Sequence, residues 1–507
     1  MTKEVTNYSN PARTRMAPSP TGEYHVGHLR TILFNLALSK KTKGQFIIRI
    51  EDTDTKRYVV GAVDKILDVI SDYGLSWDEG PRVGGPYGPY IQSERFSSNM
   101  YKEAANSLVQ KGHAYKCFCT EQRLSELRIS QQNHGKPSGY DKHCRNLSLE
   151  QIESNLSSNI PYTIRIQIPS NTSIELHDFL RGKITWNSND VEDYIILKSD
   201  GIPTYHLASV VDDHEMQVTH ILRGQDWIPT APVLVLLYKF LEWDQPVIIH
   251  TPNVLDPTGK GKMSKRRSGE KAFARYYLDK GYPPQAMLNY LMFLGWSHPD
   301  EKVNILSLED FINVFSLERI QPQDSRWDFE KIDWYGGQYI RSMDLDNLYE
   351  NILHWLMNVK SENMKLNVNI WKDRIRSEPV HFKNILRLLH DRLRKYSEIF
   401  ELAEFFYSKP VSDIIDWEKT KHTQSECIGA IPGLKSELSN NLEEENWTQE
   451  KWESCIRSYA DICGWKQGDM FMLVRLCIVG SPFSPNLLDS MNLIGSKECL
   501  SRFDFVL

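Results

Sequence analysis

A strand-length apolar run, Phe46-Ile47-Ile48-Arg49-Ile50, stands between two helix-length segments, and that order constrains the fold more than composition does. Ahead of it, Val26, Leu29, Ile32, Leu33 and Leu36 recur at helical spacing. Behind it, Val59, Val60, Val63, Ile66, Leu67 and Ile70 do the same, up to a stop at Gly74. A shorter strand, Arg15-Met16-Ala17, precedes the first helix and ends in Pro18-Ser19-Pro20-Thr21-Gly22. Strand, helix, strand, helix predicts an α/β fold with a doubly wound, Rossmann-type parallel sheet. Ligands of such sheets sit at the carboxyl ends of strands. Ser19, the helix start at His25 to His28, and Glu51 all fall at that edge.

The pattern then changes. A helix is expected from Ser93 to Gln110, stopped by Gly112. From about Lys116 to Ile196, short strands and polar turns suggest an α+β insertion. Strands return at Val218-Thr219-His220-Ile221-Leu222, followed by Arg223, and at Val247-Ile248-Ile249-His250. From Met343 onward the chain reads as all α, with Ile385, Leu388, Leu389, Leu393, Tyr396, Ile399, Phe400 and Phe406 in one long amphipathic run. The expected division is therefore 12–115 and 201–257 as two halves of the Rossmann domain, 116–200 as the insertion, 258–342 as a connecting domain, and 343–507 as helical.

At 507 residues the chain is too long for one core. The formal charge of −6 carries no global signature of nucleic-acid binding, so any such binding must rest on local basic patches. No apolar run approaches the ~20 residues of a membrane span, and the first ten residues hold no apolar signal core. A soluble, cytoplasmic protein with no membrane partner is the expectation. Eight cysteines in so long a chain do not make a disulfide scaffold, and Cys427, Cys455, Cys463, Cys477 and Cys499 read mostly as buried thiols.

Two short segments carry the chemistry. His25-Val26-Gly27-His28 opens the first helix, and Lys262-Met263-Ser264-Lys265-Arg266 follows in a glycine-rich setting. Two imidazoles three apart share a helix face at an end that favours anions, and Gly27 admits a close ligand. A mobile loop with Lys262, Ser264 and Lys265 can add positive charge and a hydrogen bond as charge develops on phosphates. Together they suggest a site for the phosphates of ATP. The plainer readings are surface histidines, a metal pair with no third ligand nearby, and a basic surface turn.

These segments, with Thr14-Arg15, Pro18 to Gly22, Arg49-Ile50-Glu51-Asp52-Thr53-Asp54, Asp78-Glu79-Gly80, Tyr205-His206-Leu207-Ala208, Val211-Asp212-Asp213-His214 and Arg223-Gly224-Gln225-Asp226-Trp227, resemble bacterial-type glutamyl-tRNA synthetases. The likeness is collinear from about residue 13 to 340 and looser in the helical third, where its best part is Arg475 to Pro485 and Ile494-Gly495. It implies a class I aminoacyl-tRNA synthetase, a glutamate–tRNA ligase. Such an enzyme uses ATP and Mg²⁺ to make glutamyl-adenylate, then charges tRNA-Glu, with tRNA-Gln as an open second substrate. A monomer is the family expectation, the insertion would bind the acceptor stem, and the helical part would read the anticodon.

The resemblance also implies roles. His25, His28, Lys262 and Lys265 are the catalytic set, with Gly27, Ser264 and Lys265 on ATP. Arg15, Ser19, Glu51, Tyr205, Ser209 and Arg223 are the glutamate set. Arg15 is expected on the side-chain carboxylate, for which arginine offers a bidentate fork. A structural ion pair or a capped turn is the plainer alternative for Arg15, Arg223, Glu51, Ser19 and Tyr205. Ser209 departs from the family's asparagine, and Gln225-Asp226 from its Glu-Glu, which leaves substrate affinity open. Cys117, Cys119, Tyr140 and Cys144 have the spacing of a structural Zn²⁺ site in some members; Asn146 replaces a usual ligand, His143 is an adjacent spare, and a lost site is the alternative. Basic residues around Arg374 and Arg376, with Arg387, Arg392, Arg394 and Lys395, are candidates for tRNA contacts or a solvated helix face. A relative that glutamylates a modified tRNA base, a glutaminyl enzyme, a nucleotidyltransferase and a non-catalytic tRNA-binding paralogue are the rivals. The first lacks the helical third, the second would carry a β-barrel there, the third would not need the glutamate set, and the fourth would not need the intact catalytic set.

Overall fold

The computed structural model describes residues 10–506 apart from 55, 136, 361–363, 411–414 and 441–446. The first nine residues, which in part support the expectation of a cytoplasmic chain, lie outside the described residues. Two compact units result: residues 1–276 with 288–329, and residues 277–287 with 330–507.

The first unit is built on β1 (Arg13–Met16), α1 (Val26–Lys41), β2 (Gln45–Ile48), α2 (Ala62–Asp72), β3 (Ser173–Asp178), β4 (Gly182–Asn187), α3 (Tyr205–Glu215), β5 (His220–Gly224), α4 (Ala231–Leu241) and β6 (Val247–Thr251). The six strands form one sheet in the order β2-β1-β5-β6-β3-β4. Every neighbouring pair is parallel except the β3–β4 hairpin. This is the doubly wound parallel sheet that the alternation of strand and helix implies, made mixed by the antiparallel β3–β4 hairpin at one edge. Most of α1 from Val26 to Ser39 is buried on all sides, so its polar residues must be satisfied internally. Thr31 donates to the Gly27 carbonyl and Asn35 to that of Thr31.

Several local expectations change. Val59 and Val60 precede α2 rather than belonging to it, and Val60 is 88% exposed. The helix starts late because Gly61, at its N-cap, has φ 76°. The helix expected from Ser93 splits at Asn99 (φ 59°) into a 3-10 turn, Gln92–Ser98, and a helix, Met100–Gln110. Between residues 114 and 197 an antiparallel sheet forms from Ala114–Cys117, Thr163–Ile166 and Ile195–Leu197. Helices Glu121–Asn133 and Leu149–Ser157 accompany it. Neither buries a residue; the first has no apolar period, while the second shows Leu149, Ile152 and Leu156 at helical spacing behind the Ser148 cap. The β3–β4 hairpin, within the span read as an insertion, extends the main sheet instead.

The second unit is helical and holds two apolar clusters. One gathers Leu348, Trp371, Phe382, Leu389 and Ile399; the other gathers Trp452, Met470, Leu473, Cys477 and Phe503. The long run that starts at Ile385 is not one helix. Pro379–Leu389 ends, and short turns at Tyr396–Glu398, Ile399–Leu402 and Glu404–Phe406 follow. A bent chain wrapped on a core buries Leu393, Tyr396 and Ile399 as well as a straight helix would. All eight cysteines are free thiols. Among the described residues, no helix is long and apolar enough to cross a membrane.

Candidate active site

A cavity of about 690 Å³ opens at the carboxyl ends of β1, β2, β5 and β6. It is lined by His25, Gly27 and His28 at the start of α1, by Arg15 and Ser19 around the end of β1, and by Glu51 beyond β2. Tyr205 from α3, Arg223 from β5, and Lys262, Ser264 and Lys265 complete it. Residues far apart in the chain converge because parallel strands end on one edge. Ser209 is the exception. It sits one turn into α3, is buried, does not line the cavity, and its hydroxyl has no partner among the described residues.

The His25 end is a helix N-terminus. His25 is the N-cap of α1, and its Nδ1 accepts the Gly27 N–H at 2.9 Å. That leaves the proton on Nε2, which donates to the Met263 carbonyl at 3.0 Å. A Cβ on Gly27 would lie 3.1 Å from His25 Nδ1, so glycine is needed for this cap as well as for a ligand's approach. Burial, against the Met263 hydrogen bond, pushes the His25 pKa down to about 4. His28 is driven down too, by its protein surroundings and then by His25 and Lys262, although its ring stays open to the cavity's solvent. Both imidazoles are therefore neutral donors at pH 7, and the cations of this end are the lysines. Lys262 pairs with Asp226, so the shortened acid of Gln225-Asp226 still reaches the loop.

The other end is a buried ion network. Asp213 on α3 accepts Arg15 Nε at 3.1 Å and Arg49 Nη1 at 2.7 Å. Arg49 Nη2 donates to Glu51 at 2.8 Å. Asp212 next door accepts Gln92 and Tyr101 at 2.8 Å each and lies 2.8 Å from Arg95 Nε. Burial works to raise the Asp213 pKa, but Arg15 and Arg49 hold it below the usual carboxylate range. For Glu51 burial wins over Arg49 and Arg15, and its pKa rises. Arg223 donates through Nε to His250 at 3.0 Å and through Nη1 to Tyr205 at 3.4 Å. Its Nη2 is buried and has no hydrogen-bond partner among the described residues. Tyr205 stacks on Trp227, ring centroids 4.3 Å apart. Arg49, Asp212 and Asp213 stand in the quoted segments with no role attached. The signal for Arg49 is in the sequence: an arginine inside an apolar strand run must be paired once buried.

The sequence matches the family of "tRNA synthetases class I (E and Q), catalytic domain" over residues 11–334, and an "Anticodon binding domain" over residues 347–507. Curated glutamate–tRNA ligases of Borreliella burgdorferi and Chloroflexus aurantiacus are 37% and 36% identical to it, over 97% and 98% of both chains. The chain belongs to the glutamate–tRNA ligases. A solved ligase of this family, from Elizabethkingia meningosepticum in complex with its amino acid, superimposes with a TM-score of 0.81. It is 32% identical, over 98% of this chain and 99% of that one.

Two further groups of this ligase lie outside the cavity. The thiols of Cys117, Cys119 and Cys144 come within 4.8 Å of one another, and His143 is not drawn into the group. The Tyr140 hydroxyl lies 3.3 Å from Cys117 Sγ and 3.6 Å from Cys119 Sγ. Arg165 and Arg123 donate to Cys117 and Cys119 at 3.3 and 3.5 Å, and the Arg165 guanidinium lies over the Tyr140 ring at 3.7 Å. Three sulfurs, a phenol oxygen and cationic neighbours are a donor set suited to Zn²⁺.

In the helical unit the candidate arginines differ. Arg394 pairs with Glu398 and Asp333, as on an ordinary solvated face, whereas Arg374 pairs with Glu404 and lies over the Trp371 and Tyr407 rings. Arg387 is bonded to Asn384. Arg392 has no ion pair among the described residues, and the pKa of Arg475 is lowered by burial and then by the charge of Arg392. Arg475 Nε is buried without a partner among the described residues, its Nη1 reaches the Pro482 carbonyl at 3.4 Å, and the adjacent Phe483 is 82% exposed.

Proposed function

We propose that the cavity binds ATP at its His25 end and glutamate at its Arg223 end, and that the residues implied by the motifs act there. The observation that carries this is Arg223 Nη2, a buried cationic donor without a hydrogen-bond partner among the described residues, in a cavity also lined by Arg15 and Glu51 of the Asp213–Arg49 network. A buried guanidinium nitrogen left empty costs ~1–3 kcal/mol, which a substrate carboxylate recovers. Arg15 supplies the second cation, and Glu51 is the acceptor for the ammonium group.

In the first step a glutamate carboxylate oxygen attacks the α-phosphorus of ATP, and pyrophosphate leaves. In the second, a ribose hydroxyl of the tRNA 3′ end attacks the acyl carbon, and AMP leaves. Mg²⁺ would enter with the nucleotide and would neutralise part of its charge. The chain's own work is positioning and electrostatics. His28 and the start of α1 donate N–H groups to phosphate. His25 Nε2–H joins them once it leaves the Met263 carbonyl, and Lys262 joins once it leaves Asp226. Lys265 is the loop's cation for the leaving phosphates.

Cys117, Cys119, Cys144 and Tyr140 would hold Zn²⁺, which would act as a structural tie for the segment we assign to the acceptor stem. Arg392, Arg475 and exposed Phe483 present paired cations beside an aromatic face, which suits the anticodon of a single-stranded loop.

The test is aminoacylation with labelled glutamate, ATP and Mg²⁺, with tRNA-Glu and tRNA-Gln in parallel. Charging of tRNA-Glu alone establishes a discriminating ligase. Charging of both makes it a non-discriminating one. No charging of either overturns the assignment of the cavity.

A further inference from the structure

Asp178 is a buried carboxylate to which none of the motifs points. It ends β3, and its two oxygens serve two edges. Oδ1 accepts the N–H groups of Leu180 and Arg181, at 3.0 and 2.9 Å, which closes the turn after the strand. Oδ2 accepts the backbone N–H of His250 at 2.9 Å and faces the His250 ring Nδ1 at 2.8 Å. Asp178 and His250 are both buried. A carboxylate with this many donors is ionised and leaves Nδ1 only the donor role. The tautomer is fixed in consequence: the ring proton sits on Nδ1, and Nε2 is bare.

The bare Nε2 is what Arg223 uses. Its Nε–H donates to His250 Nε2 at 3.0 Å, and its Nη1 reaches Tyr205. Because the guanidinium is planar, fixing Nε and Nη1 also fixes the direction of Nη2, the partnerless donor. Were the tautomer reversed, Nε2–H would meet Arg223 Nε–H head on, and the guanidinium would turn away.

We propose that Asp178 and His250 are positioning residues for the amino-acid subsite, a relay from the end of β3 that holds Arg223 so that Nη2 meets a carboxylate of glutamate. The proposal rests on the reading of the cavity as the glutamate site. It adds two residues that never touch substrate and a reason why the β3–β4 hairpin is joined to the catalytic sheet. Oδ1 closes the turn after β3, while Oδ2 serves both the His250 backbone N–H and the ring that orients Arg223.

Steady-state tRNA charging, with glutamate and ATP varied separately, tests this in Asp178→Asn, His250→Leu, His250→Gln and Arg223→Ala. Asparagine cannot accept on both edges, and leucine offers Arg223 nothing. Glutamate KM is expected to rise about tenfold or more in Asp178→Asn and His250→Leu, while ATP KM stays within about twofold. His250→Gln keeps an acceptor for Arg223 and should recover part of the loss. A purely structural role would lower kcat or yield and leave the two KM values alone. If Arg223→Ala raises glutamate KM but folded Asp178→Asn and His250→Leu do not, the relay is wrong and the cavity assignment stands. If Arg223→Ala has no effect either, that assignment falls. Should the variants fold poorly, ring ¹⁵N spectra of the histidine-labelled wild-type chain decide: a bare Nε2 at His250 supports the relay, and a protonated one overturns it.

Discussion

Removing the Arg15 side chain does two things at once. It takes a cation from the cavity, and it leaves Asp213 buried with Arg49 as its remaining close cation. Breaking a buried pair costs ~3–5 kcal/mol, so Arg15→Ala is expected to be clearly less stable in denaturant melts as well as to demand more glutamate. Lost stability with an unchanged glutamate KM would make Arg15 a structural ion pair and nothing more. Lys265 is the cleaner probe, because it lies on the loop. Lys265→Ala should slow pyrophosphate exchange by about 10²–10³, with tRNA retention on a filter nearly unchanged; an unaltered rate would remove the loop from the chemistry. At this scale the sequence was informative about which residue types gather, because short segments such as His25-Val26-Gly27-His28 keep their local geometry wherever they are placed. It was silent on pairing. Nothing in the spacing of Arg15, Arg49 and Asp213 says that one carboxylate bridges both arginines, since that contact spans a sheet and a helix. Ser209 is the opposite lesson: the resemblance put it in the glutamate set in place of the family's asparagine, and in α3 it is buried and does not line the cavity.

Elements were legible in proportion to what they bury. The strands β2 and β6 and the helix α1 are rich in apolar residues because the sheet is covered on both faces, and their signal is strong; β1, which buries Thr14 and Arg15, and β5 carry less of it. Helices Glu121–Asn133 and Leu149–Ser157 bury no residue; the first has no apolar period, and the second carries Leu149, Ile152 and Leu156 at helical spacing behind the Ser148 cap, a short signal on an exposed helix. The first is held by Leu124, packed against Tyr115, Cys117, Tyr140 and Cys144, and by Arg123, which pairs with Asp141 and donates to Cys119. This makes the cysteine cluster the natural staple of that segment, and it gives a prediction at the same scale. Purified chain should carry one zinc, and Cys144→Ser should lose it. Because the cavity draws no residue from this segment, tRNA charging should then fall mainly through a raised KM for tRNA, with glutamate KM little changed. Metal analysis together with those two constants checks it; a zinc-free wild-type chain would mark the site as degenerate.

At the scale of the molecule, the catalytic unit concentrates histidines that folding holds uncharged. Burial lowers His25, His206 and His220 to about 4, and lowers His250 as well, against its bond to Asp178. An unfolded chain binds protons on these rings from about pH 6.5 downward. Between 6.5 and 4 the unfolded state therefore holds more protons than the folded one, and stability falls as pH falls. The depressed carboxyls of Asp213 and Asp178 continue the loss at lower pH, where protonation removes the partners of Arg15, Arg49 and His250. The raised carboxyls of Glu51 and Asp212 work the other way, because they bind a proton more readily in the folded state. Four rings outweigh these two groups, so the net slope from pH 6.5 to 5 is downward. In scanning calorimetry, the transition of the catalytic unit can be recognised because glutamate and ATP raise it. Its midpoint is expected to drop by several degrees between pH 7 and pH 5, and His220→Gln should flatten part of that slope. A midpoint independent of pH over this range would mean that the rings are solvated and charged in the native chain. It would also remove the basis for treating His25 as a neutral donor to phosphate.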